Sequence, residues 1–307
     1  TAEAVYGARA PGIYAQIDSI EDARNHVRRL KQEGGYSIKN YNQPRRDQRQ
    51  QILAAAREEN MMVVAEGGSL FNLDITHIVD GNTKLEHNFP QSVLYKDVVE
   101  LFSQSKVAYT PTLVVTFGGL AGDPYWRAHT DVWKHPLLTK HEPPSILDPG
   151  SVRRVIAPEE DYVDQVSARE SHKLALAGVP VSIGAHGQEA GIGSHWELWS
   201  FVRGGMTPIE ALRAGTIESA ISLGYDKDVG SLEPGKLADL VVLDADPTVD
   251  IHNSDKISRV MLGGRLYDSA TMNEVDTGTW KRKPYWWELG AAGGAAPVAR
   301  PVSRDVD

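Results

Sequence analysis

Short apolar runs rich in Val and Ile alternate with amphipathic helical segments about five times between residues 19 and 203. Helical crossovers between successive strands force those strands to run parallel, with the helices packed outside. Nothing else in the chain restricts its fold as much. Ser19 reads as an N-cap, with Asp22 three residues on, for a helix reaching about Gln32 and stopped by Gly34-Gly35. A strand over 36–41 carries Lys39, and Asn42-Gln43-Pro44 is its turn. A helix over 45–59 and a strand over 61–65 follow, the strand ending on Glu66-Gly67-Gly68. After a helix over 73–79, the strand 84–86 ends on His87. Then come a helix over 93–105, a strand over 107–116, a helix over 159–177 and a buried strand over 179–183. Gly184, Gly187, Gly191 and Gly193 make a flexible turn around His186, and His195 opens the next helix.

Polar or glycine residues recur just past the strands: Lys39, Glu66-Gly67, His87, Thr116 and His186. That is the layout of an α/β protein of the (β/α)₈ TIM-barrel kind, whose chemistry sits at the carboxyl ends of its strands. A doubly wound open sheet is the alternative, but no G-x-G-x-x-G loop follows a first strand. Residues 1–228 make up this β/α unit. Residues 229–275 change character, with strands at 237–243 and 258–262 that predict a small β appendage. Residues 276–307 form a carboxyl-terminal tail, Ala/Gly/Pro-rich and poorly ordered from 290 onward. The turn-rich stretch 118–158, holding Trp126, His129, Trp133, His135 and His141, is long for an idle loop.

Composition removes several classes of function. A net charge of −9 with both signs interspersed opposes a nucleic-acid surface or a polybasic membrane patch. The chain has no cysteine, so thiolate metal sites, disulfides and cysteine nucleophiles are absent. That suits an extracytoplasmic protein but leaves cytoplasm and periplasm both open. No apolar run is long enough to span a bilayer. Imidazoles of His87 and His186, the Glu66 carboxylate and the Lys39 amine have the chemistry of a zinc-type divalent metal site. Taken singly, each has an ordinary explanation: a hydrogen-bonded structural histidine, an ion-pair partner, a surface ammonium. Four of them at successive strand ends favour the site.

The stretches G-S-L-E-P-G-K-L-A-D-L-V-V-L-D (230–244) and S-R-V-M-L-G-G-R-L-Y-D (258–268) resemble the carboxyl-terminal hallmark of the amidohydrolase superfamily. A-E-G-G-S-L (65–70), L-E-H-N-F-P (85–90) and G-A-H-G-Q with G-S-H-W-E-L-W (184–199) are similar to a branch often fused behind a tricorn-type β-propeller. The resemblance covers nearly the whole chain, from about Val5 to Trp287. It implies a barrel beside a small β-sandwich, completed by the final strands. It also implies a metal-dependent hydrolase of C–N bonds, in the prolidase/imidazolonepropionase-like range, acting on small amides or peptide-like substrates. Lys39 matches the fourth-strand lysine, carbamylated in some members to bridge two metals. His87 matches the sixth-strand ligand. His186 stands where most members have the eighth-strand aspartate that serves as general base and often as ligand, and Glu66 where most have the fifth-strand histidine. The family's first-strand His-x-His pair has no counterpart in these residues.

The expectation is therefore that this sequence is the carboxyl-terminal part of a longer protein and that the amino-terminal barrel strands lie upstream. An upstream segment, or a second copy of the chain, would then cover the open edge. Lys39 and His186 are the expected catalytic groups, and Lys39, Glu66, His87 and His186 the expected metal ligands. His195, Trp196 and Trp126 are the expected substrate contacts, with ordinary packing as the other explanation. A binding or structural protein on an eroded site is the main alternative. A metal-independent serine or threonine hydrolase is a weaker one, since no G-x-S-x-G elbow occurs.

Overall fold

In a computed structural model, residues 4–6, 15–41, 45–152 and 154–289 are described. Two short strands, β1 (Ala4–Tyr6) and β2 (Ala15–Gln16), precede helix α1 (Ile20–Gln32) and strand β3 (Ser37–Asn40). The sequence reads as irregular up to Ile17, so these strands are additions. The order continues with α2 (Arg46–Glu58), β4 (Met62–Glu66), α3 (Phe71–Asp80), β5 (Lys84–Glu86), α4 (Lys96–Ser105) and β6 (Ala108–Thr110). The sheet runs β2-β1-β3-β4-β5-β6, with every pairing parallel. From β3 to β6 a helix separates each strand from the next, which is what a parallel sheet requires. The expected Asn42-Gln43-Pro44 turn and the 290–307 tail lie outside the described residues.

Two expected strands are shorter than the sequence suggests. The run 107–116 pairs only through Thr110, because Pro111 has no N–H and Thr112 turns left-handed at φ 51°, which starts a 3₁₀ turn at Leu113–Val115. The run 179–183 meets the sheet at a single parallel bridge, Tyr109 to Val181. Tyr109 donates its N–H to the Pro180 carbonyl and accepts from Ser182 N, both at 2.9 Å; Pro180 has no N–H with which to continue the ladder. The sheet is thus an open arc ending at β2 and at Val181. Among the described residues these two ends are not paired with each other.

The stretch after β6 is a helical cap, not a bare loop. It contains α5 (Gly122–His129), α6 (Leu138–His141), α7 (Pro144–Leu147) and α8 (Pro149–Val152). Its ends are stapled together where Leu120 pairs with Tyr162. Beyond it lie α9 (Asp164–Leu176), α10 (Ile192–Arg203), α11 (Pro208–Ala214) and α12 (Ile217–Leu223). The appendage is one antiparallel sheet of β7 (Leu240–Leu243), β8 (Ile257–Leu262) and β9 (Arg265–Asp268). No second layer covers it among the described residues: Val241, Val242 and Leu262 are exposed. It is fastened to α10, where Trp199 Nε1 donates to the Ile251 carbonyl and His195 Nδ1 lies 3.0 Å from Ser254 Oγ. No helix is long and apolar enough to cross a membrane, among the described residues.

The caps match the sequence. Ser19 Oγ accepts from Asp22 N at the start of α1. At α11 a full capping box forms: Thr207 Oγ1 accepts from Glu210 N while the Glu210 carboxylate accepts from Thr207 N. Thr207→Ala removes half of this reciprocal pair and is expected to cost about 1 kcal/mol in a urea unfolding titration. An unchanged midpoint would mean that water replaces the cap without penalty.

Candidate active site

Three of the four candidate ligands touch one another, and the fourth stands beside them. Lys39 lies on β3, and Glu66 is the last residue of β4, in register with Glu86 at the end of β5. His87 is the next residue, so neighbouring parallel strands carry the groups to one edge of the sheet. Lys39 Nζ lies 2.6 Å from Glu66 Oε2, and His87 Nε2 lies 3.1 Å from Glu66 Oε1. The His186 ring centroid is 5.4 Å from that of His87, edge to face. The Phe117 ring also packs against His87, with centroids 5.6 Å apart.

The turns that bear the histidines are constrained. His87 sits at φ 69° and His186 at φ 54°, both in the left-handed region that side chains with a Cβ rarely adopt. Such strain persists where surrounding contacts over-determine it, and it gathers at functional sites. After His87, Asn88 Nδ2 donates to the Phe89 and Phe117 carbonyls and to Ser167 Oγ, while Phe117 N donates to Asn88 Oδ1. Behind Glu66, the buried Asp74 carboxyl accepts from Gly68 N at 2.9 Å. Gly67 allows no side chain, since a Cβ there would lie 2.3 Å from the Glu86 carbonyl oxygen.

The surroundings act strongly on Glu66 and His186. Burial would raise the Glu66 carboxyl, but His87 and then Lys39 outweigh it and hold it down to about 2. Glu66 is therefore ionised at neutral pH and can only accept hydrogen bonds. The His87 nitrogen facing it, Nε2, donates to this carboxylate. The other ring nitrogen, Nδ1, is buried and without a hydrogen-bond partner. Burial, then the adjacent His87, push His186 below the ordinary imidazole range, so it is neutral at pH 7. Lys39 serves as counter-ion to Glu66.

These residues suit a divalent metal by chemistry. Two imidazoles stand side by side, and a carboxylate bonds to one of them, an arrangement common around metal-bound histidine. They do not form a shell by themselves: no three His, Asp or Glu side chains are gathered closely enough to hold an ion, among the described residues. The other three site residues go elsewhere. Trp126 is buried and donates from Nε1 to Ser200 Oγ, with its ring against Trp199. Trp196 is fully buried, its ring 5.8 Å from the Arg127 guanidinium. His195 faces Ser254 of the appendage. The structure places all three in packing rather than beside His87 and His186.

Sequence reading missed two groups. Arg127 of α5 donates to Asp123 Oδ1, to Glu189 Oε2 and to the Gln188 carbonyl, tying the cap to the loop that bears His186. Glu197 of α10 is buried to 0% exposure. Burial pushes its carboxyl up to about 8 against backbone amides that favour the anion. Its signal was available: a glutamate between Trp196 and Leu198, both of which are buried.

A model of the amidohydrolase family matches residues 45–267. Imidazolonepropionase of Geobacillus kaustophilus is 32% identical over 124 residues, which is 38% of this chain and 29% of that protein. Ochratoxinase of Aspergillus niger is 32% identical over 118 residues, 36% of this chain and 25% of that protein. Among solved structures, a Xaa-Pro dipeptidase with bound methionine superposes at a TM-score of 0.59 and 19% identity, covering 82% of this chain and 59% of that one. Likeness at that identity speaks for the fold alone. The matches span less than a third of either curated relative and less than two thirds of the solved structure.

Proposed function

The chain belongs to the amidohydrolase family, and on that premise we propose that it contributes the active-site half of a metal-dependent hydrolase of C–N bonds in small amides or peptide-like substrates. One observation carries the reading: the His87 and His186 rings stand 5.4 Å apart at one edge of the sheet, with His87 Nδ1 buried and unpartnered. The two imidazoles would hold a divalent ion, zinc by ligand type. A (β/α)₈ barrel closed by further strands, and a β-sandwich completed over β7–β9, belong to the same proposal. The remaining metal donors would come from an upstream segment or from a second copy of the chain. The imidazolonepropionase range of substrates rests on the 32% identical relative, and the prolidase-like range on the resemblance of the strand-end motifs.

The division of labour follows from the contacts among these groups. A divalent ion held here supplies Lewis acidity toward a carbonyl oxygen and makes a water acidic enough to ionise near neutral pH. Glu66 accepts from His87 Nε2 and so orients the ring, which would leave Nδ1 to face the ion. Lys39 balances the Glu66 charge, which keeps Glu66 on His87. A second role for His186 is favoured by its depressed titration. As a neutral imidazole it can accept a proton from a nucleophilic water and return it to the leaving amine.

Metal content decides first. The 307-residue chain, purified without chelator or histidine tag and incubated with zinc, is expected to retain about one ion per chain at micromolar zinc. It is then screened for hydrolysis of dipeptides ending in proline and of N-acyl amino acids. Hydrolysis that survives thorough chelation would overturn the metal-dependent reading. Zinc retained with no hydrolysis of any amide would leave a binding protein on the same scaffold.

A further inference from the structure

The His186 turn rests on a buried carboxylate that lies eleven residues further along the chain, in the middle of the following helix. Glu197 Oε1 accepts from Val114 N at 2.7 Å, and Oε2 accepts from Gly184 N at 3.3 Å. The Leu113 amide also faces this carboxyl. The amides come from two separate strand ends. Leu113 and Val114 follow β6, and Gly184 stands two residues before His186. A solvent-excluded carboxyl is costly unless its oxygens find donors, and a structural role at this place could be met by an apolar side chain and a water. Instead, one side chain gathers both segments.

The two segments also touch directly. A Cβ on Gly184 would lie 2.5 Å from Thr110 Cγ2 and 2.8 Å from Thr112 Oγ1, so this position admits glycine alone without rearrangement. Thr110 Oγ1 and Ser182 Oγ are 2.7 Å apart. Thr112 and His186 both hold left-handed φ angles, at 51° and 54°. With Pro180 limiting the ladder to one bridge, main-chain pairing does little to place residues 184–186. The glutamate and the close approach at Gly184 supply what the ladder lacks.

We propose that Glu197 is a positioning residue that holds the His186 turn against the end of β6 and so sets where the His186 imidazole stands relative to His87. The inference rests on the reading that these two imidazoles hold a metal, and it deepens that reading. Glu197 touches no metal donor; it acts through the backbone amide of Gly184.

Glu197→Gln tests it on the full chain. One face of the amide still accepts from Val114, but the NH₂ group then opposes the Gly184 N–H, and that tether is lost. Two readouts are taken: amide hydrogen exchange, and the cobalt affinity from the visible absorption bands of Co(II) titrated into the protein. Exchange at Gly184 and the following residues is expected to rise about tenfold or more, while β4 and α9 stay protected. Cobalt binding is expected to weaken about 10- to 100-fold, as for outer-shell partners of metal ligands. Glu197→Asp keeps a carboxylate with a shorter reach and is expected to fall between wild type and Glu197→Gln; if Glu197→Gln does not fold, Glu197→Asp is judged on the same readouts. Faster exchange at Gly184 with unchanged cobalt affinity would overturn the inference, as would unchanged exchange, or exchange raised equally throughout the chain. Wild-type protein that takes up no cobalt overturns the metal reading instead, and local exchange at Gly184 then decides the positioning role by itself.

Discussion

His87→Asn is expected to abolish cobalt binding and amide hydrolysis while leaving the far-ultraviolet circular dichroism unchanged. Asparagine is the informative replacement because His87 and His186 occupy φ 69° and 54°, where Asn is tolerated better than Ala. Loss of function is then not confounded by backbone strain. His87 is the donor whose Nδ1 is buried and free of other bonds, so its removal should cost at least the 10- to 100-fold in metal affinity that outer-shell changes cost. His186→Asn separates the two roles open to the second imidazole. As a donor, His186 gives the same loss of cobalt binding. If cobalt affinity stays at the wild-type level while turnover falls about 10²- to 10⁴-fold, the proton-transfer role is assigned instead. If both variants keep both properties, the site is not here.

Much of this was legible in the chain because strand-to-helix alternation is a repeated signal. Each polar residue at a strand end is marked by the apolar run before it, which is how Lys39, Glu66, His87 and His186 stand out together. Less legible was how far each strand runs. Residues 107–116 look extended by composition, yet Pro111 and the left-handed Thr112 end the strand at Thr110. Trp126 and Trp196 read from the sequence as substrate contacts, whereas tertiary packing buries both. Aromatic residues carry a large burial term, about 1.5–3 kcal/mol or more each, so burial is the ordinary outcome. Which partners Glu66 takes was less legible. The sequence offers it as a ligand or as an ion-pair partner, and the distances show that it pairs with Lys39 and His87.

The second large effect concerns Asp74, which sits against Gly67 and Gly68, the two residues after Glu66. Burial pushes its carboxyl up to about 7, opposed by the Gly68 amide, and its Oδ2 is buried without a partner. The folded state therefore binds this proton more tightly than the unfolded chain does. The sign follows from linkage: the contribution to stability is complete below the unfolded value near 3.8 and is lost as pH rises through about 7. A difference of about three units corresponds to roughly 4 kcal/mol. Glu197, raised to about 8, has the same sign. Glu66, held at about 2, has the opposite sign and acts only below the ordinary carboxylate range. Asp74→Asn keeps an oxygen for Gly68 N and has no proton to lose, so it mimics the neutral acid. Melting temperatures of variant and wild type are expected to coincide near pH 4, with the variant higher by several degrees at pH 8.5. Equal slopes in the two proteins would show that Asp74 is ionised in the fold at neutral pH. A neutral Asp74 places no second negative charge behind Glu66, whose own charge is then balanced by Lys39 and by the His87 N–H.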